Sequence, residues 1–157
     1  MDIKRDNAGV IAFPPLIWLV GAIVSALVRF FLVHLPITAN YGVCLACGIL
    51  FIVLAPTIAL SALVTMLRAG TNVDPGKPAL TVVRGGPFRF TRNPMYLALC
   101  FVQIALGFFW NDWITLAVVI PLFLILHFGV VLREEHYLEA KFGEEYLAFK
   151  RSVRRWM

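Results

Sequence analysis

The chain has 157 residues, 61% of them hydrophobic and 15% charged, with a mean hydropathy of +0.84. Water-soluble domains are roughly half apolar and a quarter charged, so this composition excludes an ordinary soluble enzyme and suits a surface that faces hydrocarbon. The formal net charge of +5 collects in particular connections, a pattern that membrane topology explains and nucleic-acid binding does not require.

Crossing the bilayer core takes roughly 20 apolar residues in a helix. Four stretches qualify, at about 11–35, 41–67, 94–110 and 113–132. Backbone in lipid must satisfy its own hydrogen bonds, so all four are expected to be helices. The fold expected is therefore all-α, an integral membrane protein of about four transmembrane helices plus a C-terminal amphipathic helix, forming one domain over 1–157. The first stretch is too long for a signal peptide and no small-residue cleavage site follows it. Arg29, near the far end of that stretch, is expected to extend its guanidinium to the headgroups. Pro56 and Pro121 fall inside apolar stretches, where each removes a helix hydrogen bond and can kink the axis. Cys44, Cys47 and Cys100 also lie in apolar runs, and the Cys44–Cys47 spacing reads as small-residue helix packing rather than a redox pair.

The connections give an orientation. Lys4 and Arg5 precede the first stretch. The loop 68–93 carries Arg68, Lys77, Arg84, Arg89 and Arg92. The tail carries Arg133, Lys141, Lys150, Arg151, Arg154 and Arg155. The connections at 36–40 and at Asn111–Asp112 have neither Lys nor Arg. The asymmetry predicts an inner or plasma membrane protein with both termini and the long loop in the cytoplasm, and Trp110 and Trp113 flank the short outer turn as interfacial aromatics do.

The loop 68–93 is long for so small a chain, and its composition predicts order. Asp74-Pro75-Gly76 reads as a turn, Leu80-Thr81-Val82-Val83 as extended and apolar, and Gly85-Gly86-Pro87 as a tight turn or a close backbone approach. Pro94 suits the first turn of the next helix. After Arg133, a helix over 133–155 places Leu138, Phe142, Tyr146, Phe149 and Val153 on one stripe, with a break or bend at Gly143. That stripe is expected to lie on the membrane surface or to pack over the cytoplasmic mouth.

Little in the chain has the spacing of familiar chemistry. His34, His127 and His136 are too scattered for a metal site, and neither a nucleophile elbow nor a GxGxxG motif is present. What remains is a polar group at each cytoplasmic helix end of the last hairpin: Arg89, Arg92, Asn93 and Tyr96 on one limb, Arg133, Glu134, Glu135 and His136 on the other. A short outer turn makes the limbs antiparallel neighbours, so both groups reach one depth. The pattern alone leaves two readings open, interfacial ion pairs that cap helix ends or a ligand site.

The stretch from Gly86 to Leu97 (GPFRFTRNPMYL), followed some forty residues later by Arg133-Glu134-Glu135 and by Phe142-Gly143-Glu144-Glu145-Tyr146, resembles the isoprenylcysteine carboxyl methyltransferase family. That superfamily also includes phospholipid N-methyltransferases. The resemblance runs from about Thr71 to Trp156 and rests on the two motifs in this order around a helical hairpin.

The resemblance implies S-adenosylmethionine as methyl donor, with S-adenosylhomocysteine as product, and a small lipid-like or prenyl-like acceptor methylated on a carboxylate or an amine. Membrane lipids are the expected surroundings. It implies donor contacts at Leu80, Thr81, Val82, Val83, Phe88, Asn93, Pro94, Met95, Tyr96 and Glu134, with the edge near Thr71-Asn72 closing the pocket. The chemistry agrees. Glu134 can accept from a ribose diol or pair with an ammonium, Phe88 and Tyr96 can pack on adenine or face a sulfonium, and the helix opening at Pro94 can receive a carboxylate. Arg92 and Arg133 are candidates for the acceptor, and Glu135 or His136 for taking a proton from an amine. Two positions depart from the family pattern. Asn93 stands where many members have His, which removes a proton-exchanging group, and Gly129-Val130-Val131 replaces a region where prenylcysteine-specific members carry Arg, which leaves the acceptor open. The rival readings are a non-catalytic small membrane protein and an NADPH-dependent membrane reductase with a related helical core.

Overall fold

The computed structural model describes residues 6–156. Its elements are α1 (Pro14–Phe31), α2 (Tyr41–Arg68), a single 3-10 turn (Gly86–Arg89), α3 (Pro94–Phe109), α4 (Trp113–Ala117), α5 (Val119–Leu126), a π-helical turn (His127–Val131), α6 (Leu132–Phe142) and α7 (Glu144–Ser152). No strand occurs among the described residues. Pro14–Phe31, Tyr41–Arg68 and the composite Trp113–Phe142 are long and apolar enough to cross a membrane, and α3 is a shorter apolar helix. The outer faces of α1 and α2 are themselves apolar: Val20, Ile23, Leu27 and Phe30 on α1 and Val43, Leu50, Val53 and Leu60 on α2 are exposed. A water-soluble protein does not leave so much contiguous apolar surface uncovered.

α3 is the centre of the bundle, lying between α2 and α4. It buries Ala98, Cys100, Gln103, Ala105 and Gly107. Small residues let helices approach where no hydrophobic drive separates protein from lipid. A Cβ at Gly107 would lie 2.8 Å from Leu116 Cα, and one at Gly48 of α2 would lie 2.7 Å from the Phe109 ring. Gln103 joins three helices at mid-bundle: its Nε2 donates to Ser25 Oγ of α1 (3.1 Å) and to the Thr115 carbonyl of α4 (2.9 Å). The cysteines are free and spread through these packed faces, with Cys44 and Cys100 buried.

The end of the bundle opposite the long loop is tied by two residues. Asn111 adopts φ +47°, a left-handed conformation that Asn tolerates. Its side chain accepts from the backbone N–H groups of Ile37 and Thr38, both at 3.2 Å. Asp112 caps α4, accepting from Thr115 N at 2.8 Å, and also takes Leu35 N at 2.9 Å. The hairpin between α3 and α4 is thus locked to the connection between α1 and α2.

The fourth apolar stretch, expected as one helix over 113–132, is divided in the structure. α4 ends at Ala117, and α5 starts after Val118. Ala117 lies four residues before Pro121, whose ring clashes with the carbonyl at that position and which has no N–H to give it. A second interruption, the π turn over His127–Val131, leaves the Gly129 carbonyl free to accept from Ile11 N at 3.2 Å. One added residue in a helical turn rotates the downstream residues by roughly 100° about the axis, so this turn sets the face on which α6 presents its acidic pair. Pro56, by contrast, is carried within α2 without breaking it.

The packing of α3 on α4 generates a direct expectation. Gly107→Val places a branched side chain against Leu116 backbone and should destabilise the protein by about 1–3 kcal/mol. The unfolding midpoint in detergent measures it; an unchanged midpoint would show that the two helices do not depend on this approach.

Candidate functional site

Between the long loop and the ends of α3 and α6 lies an open-mouthed cavity of about 140 Å³. α3 supplies one wall. Pro94 sits at its first position, its missing N–H costing nothing there, and Tyr96 follows in the first turn. The Tyr96 hydroxyl donates to Glu134 Oε1 of α6 at 2.6 Å, and both residues border the cavity. This contact joins the two polar groups that the sequence placed on separate limbs.

The floor is an apolar cluster. Phe88, Ala62, Tyr146 and Phe149 are buried together, with Val82, Val83, Met95 and Leu138 packed on them. The amphipathic stripe of the C-terminal segment therefore faces inward, and Gly143, at φ +53°, makes the corner between α6 and α7. Burial chiefly, with the nearby Glu135 carboxylate adding to it, pushes the Tyr146 phenol up to about 12. The tail beyond α7 runs along the residues before α3. Arg92 N donates to the Arg154 carbonyl at 3.0 Å, while Thr91 Oγ1 (3.0 Å) and Asn93 Nδ2 (2.9 Å) both donate to the Arg155 carbonyl. Asn93 thus reaches the cavity wall with its amide already engaged by the tail.

Glu135 organises charge beside this wall. Its side chain is 6% exposed and accepts a two-pronged bond from Arg155 (2.8 and 2.9 Å), with Arg92 Nη2 at 3.2 Å and Lys150 Nζ at 4.0 Å. A carboxylate this buried is stable only when paired and hydrogen-bonded. Lys150 also bonds Glu139, which links α6 to α7.

The loop is ordered by its own polar side chains. Asp74 Oδ1 accepts from Gly76 N at 2.8 Å, making the expected turn, and the buried Thr71 accepts from Leu80 N at 3.0 Å. Asn72 Nδ2 donates to the Pro78 carbonyl at 2.8 Å. Gly86 has φ +53°, and a Cβ there would lie 2.5 Å from Thr65 Oγ1 on α2, so the expected close approach is made against the protein's own helix.

Of the residues singled out in the sequence, Thr81, Val82, Val83, Phe88, Arg92, Asn93, Pro94, Met95, Tyr96, Glu134 and Glu135 border one cavity, as do Thr71 and Asn72. Three do not. Leu80 is 60% exposed and contributes only its backbone N–H, to Thr71. His136 stands on the exposed side of α6, outside the cavity. Arg133, one residue before the acidic pair, points to the N-terminal segment and donates to the Gly9 carbonyl at 3.0 Å.

That segment is the feature sequence reasoning missed. Ala8 borders the cavity, and residues 6–11 are pinned across α6. Tyr137 Oη donates to Asp6 Oδ1 at 2.7 Å and accepts from Ala79 N of the loop at 3.1 Å, so one hydroxyl connects the two segments that flank the mouth. Lys141 pairs with Asp6 at 2.7 Å. Periodicity gives no sign of such a strap, because its bonds span more than a hundred residues.

A family model described as phospholipid methyltransferase matches residues 43–145, from the first turn of α2 into α7. The chain belongs to the phospholipid methyltransferase family. Every helix that borders the cavity falls wholly or partly within that match, whereas the strap and the Arg154–Arg155 tail lie outside it. An uncharacterized protein of Haemophilus influenzae is 41% identical to this family member over 68 residues, which make up 40% of this chain and all of the relative. No solved structure matches the chain.

The strap has a pH signature. The Lys141 hydrogen bond, and then that of Tyr137, hold the Asp6 carboxyl below its ordinary value of 3.8. The contact is complete above that value and fades as pH falls through the lower folded one. Amide protection factors for residues 6–11 should be high at neutral pH and fall in strong acid, and Asp6→Ala should give low protection at both. Equal exchange in mutant and wild type at neutral pH would mean the ion pair does not hold the strap.

Proposed function

We propose that this chain is an S-adenosylmethionine-dependent methyltransferase of the membrane, acting on a lipid-like acceptor at the cytoplasmic face. The observation that carries the proposal is the Tyr96–Glu134 contact at 2.6 Å on the wall of the cavity between the long loop and the ends of α3 and α6. Family membership supports a methyltransferase, and the distribution of Lys and Arg supports four crossings with both termini inside.

The residues present suit such a donor. The Val82–Val83 backbone and Phe88 offer an apolar slot for a flat base, and the half-buried Glu134 an acceptor for hydroxyl or ammonium. Tyr96 offers a π face for a sulfonium. When bound, the donor supplies a methyl group already activated for displacement. The protein's work is then alignment and exclusion of water, and good alignment lowers such a barrier by roughly 7–11 kcal/mol in favourable cases.

A second opening suits the acceptor. An apolar cleft of about 560 Å³ runs between α1, α2 and α3, bordered by Phe13, Ile52, Pro56, Ala59, Leu99 and Val102 among others. Val73, Asp74, Pro75, Met95 and Tyr96 border both spaces. Pro56 has no N–H for the Ile52 carbonyl, and both residues face this cleft. An acyl or prenyl chain lying there would bring its polar end to Tyr96 from the lipid side, while a water-soluble donor reaches the same residue from the cytoplasm.

Isothermal titration of the detergent-solubilised protein with S-adenosylhomocysteine tests the donor. Binding is expected, and its absence at millimolar ligand, with a thermal shift on NADPH instead, would replace this reading by a reductase. Tyr96→Ala and Glu134→Ala should each weaken that binding roughly 10- to 100-fold, the loss of one hydrogen bond to a charged group. Arg29→Leu, near the other end of the bundle, should leave it unchanged. Incubation with radiolabelled donor and total lipid extract then identifies the acceptor through the labelled product.

A further inference from the structure

The guanidinium of Arg92 is the most buried cation of the cavity wall, its side chain 7% exposed. Its Nη2 faces Glu135 Oε1 at 3.2 Å and the Tyr146 phenol lies beside the guanidinium, while Nε and Nη1 are buried without a hydrogen-bond partner among the described residues. Glu135 is shared with Arg155 and Lys150, so Arg92 receives a fraction of one carboxylate. Glu134, a second glutamate on the wall, accepts from Tyr96 and makes no ion pair among the described residues. Arginine carries five N–H donors in a fixed fork, and leaving such donors buried and unpaired is costly.

Position narrows what completes them. Arg92 borders the cavity and does not border the apolar cleft. Its backbone is fixed by the bond from its N–H to the Arg154 carbonyl, so the side chain projects from an anchored site. Two residues later α3 begins, and its sixteen residues direct the positive end of a helix dipole at the same place. A guanidinium with an open edge beside a helix N-terminus is a receptor for a planar oxyanion.

We infer that Arg92 binds an oxyanion in this cavity, and that the anion is the amino-acid carboxylate of the methyl donor rather than a phosphate of the acceptor lipid. The assignment rests on the methyl-donor reading and goes beyond it by orienting the donor: its amino-acid end lies toward Arg92 and Glu135. Glu135 is then a positioning residue, holding one edge of the guanidinium so that the other faces the ligand.

The test compares two ligands on the full-length protein in detergent, S-adenosylhomocysteine and its decarboxylated analogue, by isothermal titration. Wild type should prefer the carboxylate-bearing ligand roughly 10- to 100-fold. Arg92→Gln should abolish that preference by weakening S-adenosylhomocysteine alone, its unchanged affinity for the analogue showing that the cavity is intact. Arg92→Lys should restore part of the preference, because a point charge replaces the fork. A preference that survives in Arg92→Gln, or an equal loss for both ligands, overturns the assignment. Loss of dihexanoyl phosphatidic acid binding in Arg92→Gln, with the nucleoside preference unchanged, overturns it in favour of a lipid phosphate. If wild type binds neither nucleoside, the methyl-donor reading fails first and this assignment falls with it.

Discussion

Tyr96 and Glu134 lie thirty-eight positions apart, and their hydrogen bond spans the two limbs of a helical hairpin. The rest of the site depends on that hairpin closing in one register. At the far end Asn111 and Asp112 tie the turn to the α1–α2 connection, and along its length Gly107 lets α4 lie against α3 backbone. The π turn then rotates α6 to its final face. Each device is local, but a shift in any of them moves Glu134 relative to Tyr96, and a bond of 2.6 Å tolerates little displacement.

Two kinds of force divide the molecule. In the bundle, small residues and one buried amide, Gln103, hold helices whose outer faces are as apolar as their inner ones. In lipid the hydrophobic effect does not distinguish those faces, so close packing and interhelical hydrogen bonds decide the arrangement. At the loop end the logic returns to that of a soluble protein. Phe88, Tyr146 and Phe149 form an ordinary core, roofed by ion pairs between α6, α7 and the segment before α3. The cavity sits at the seam and shares lining residues, Tyr96 among them, with an apolar cleft.

Glu135 and Glu134 show how neighbours in sequence take different parts. Glu135 turns into a cluster of Arg92, Arg155 and Lys150, and carries structural charge. Glu134 turns to Tyr96 and the cavity. Successive residues on a helix are about 100° apart, so an acidic pair at the edge of a site almost necessarily divides between wall and ligand.

The apolar helices were legible in the chain, because hydropathy over some twenty residues is a local property, and so were the chemistry-bearing groups at 89–96 and 133–136. The turn at Asp74–Gly76, the close approach at Gly86 and the bend at Gly143 were legible too, since each follows from the residue's own backbone preferences. Which of those groups share a cavity was settled by three-dimensional packing alone. Leu80, Arg133 and His136 sit beside true lining residues in sequence and fall outside the cavity, since facing is set by packing against distant elements. The division of the fourth stretch at Val118 and at the π turn was likewise hidden, because an apolar run reads the same whether its helix is continuous or reset. Nor could the strap over α6 or the tail along Arg92 be read from the chain. Their bonds join residues between 62 and 135 positions apart, and long-range hydrogen bonding leaves no periodicity behind.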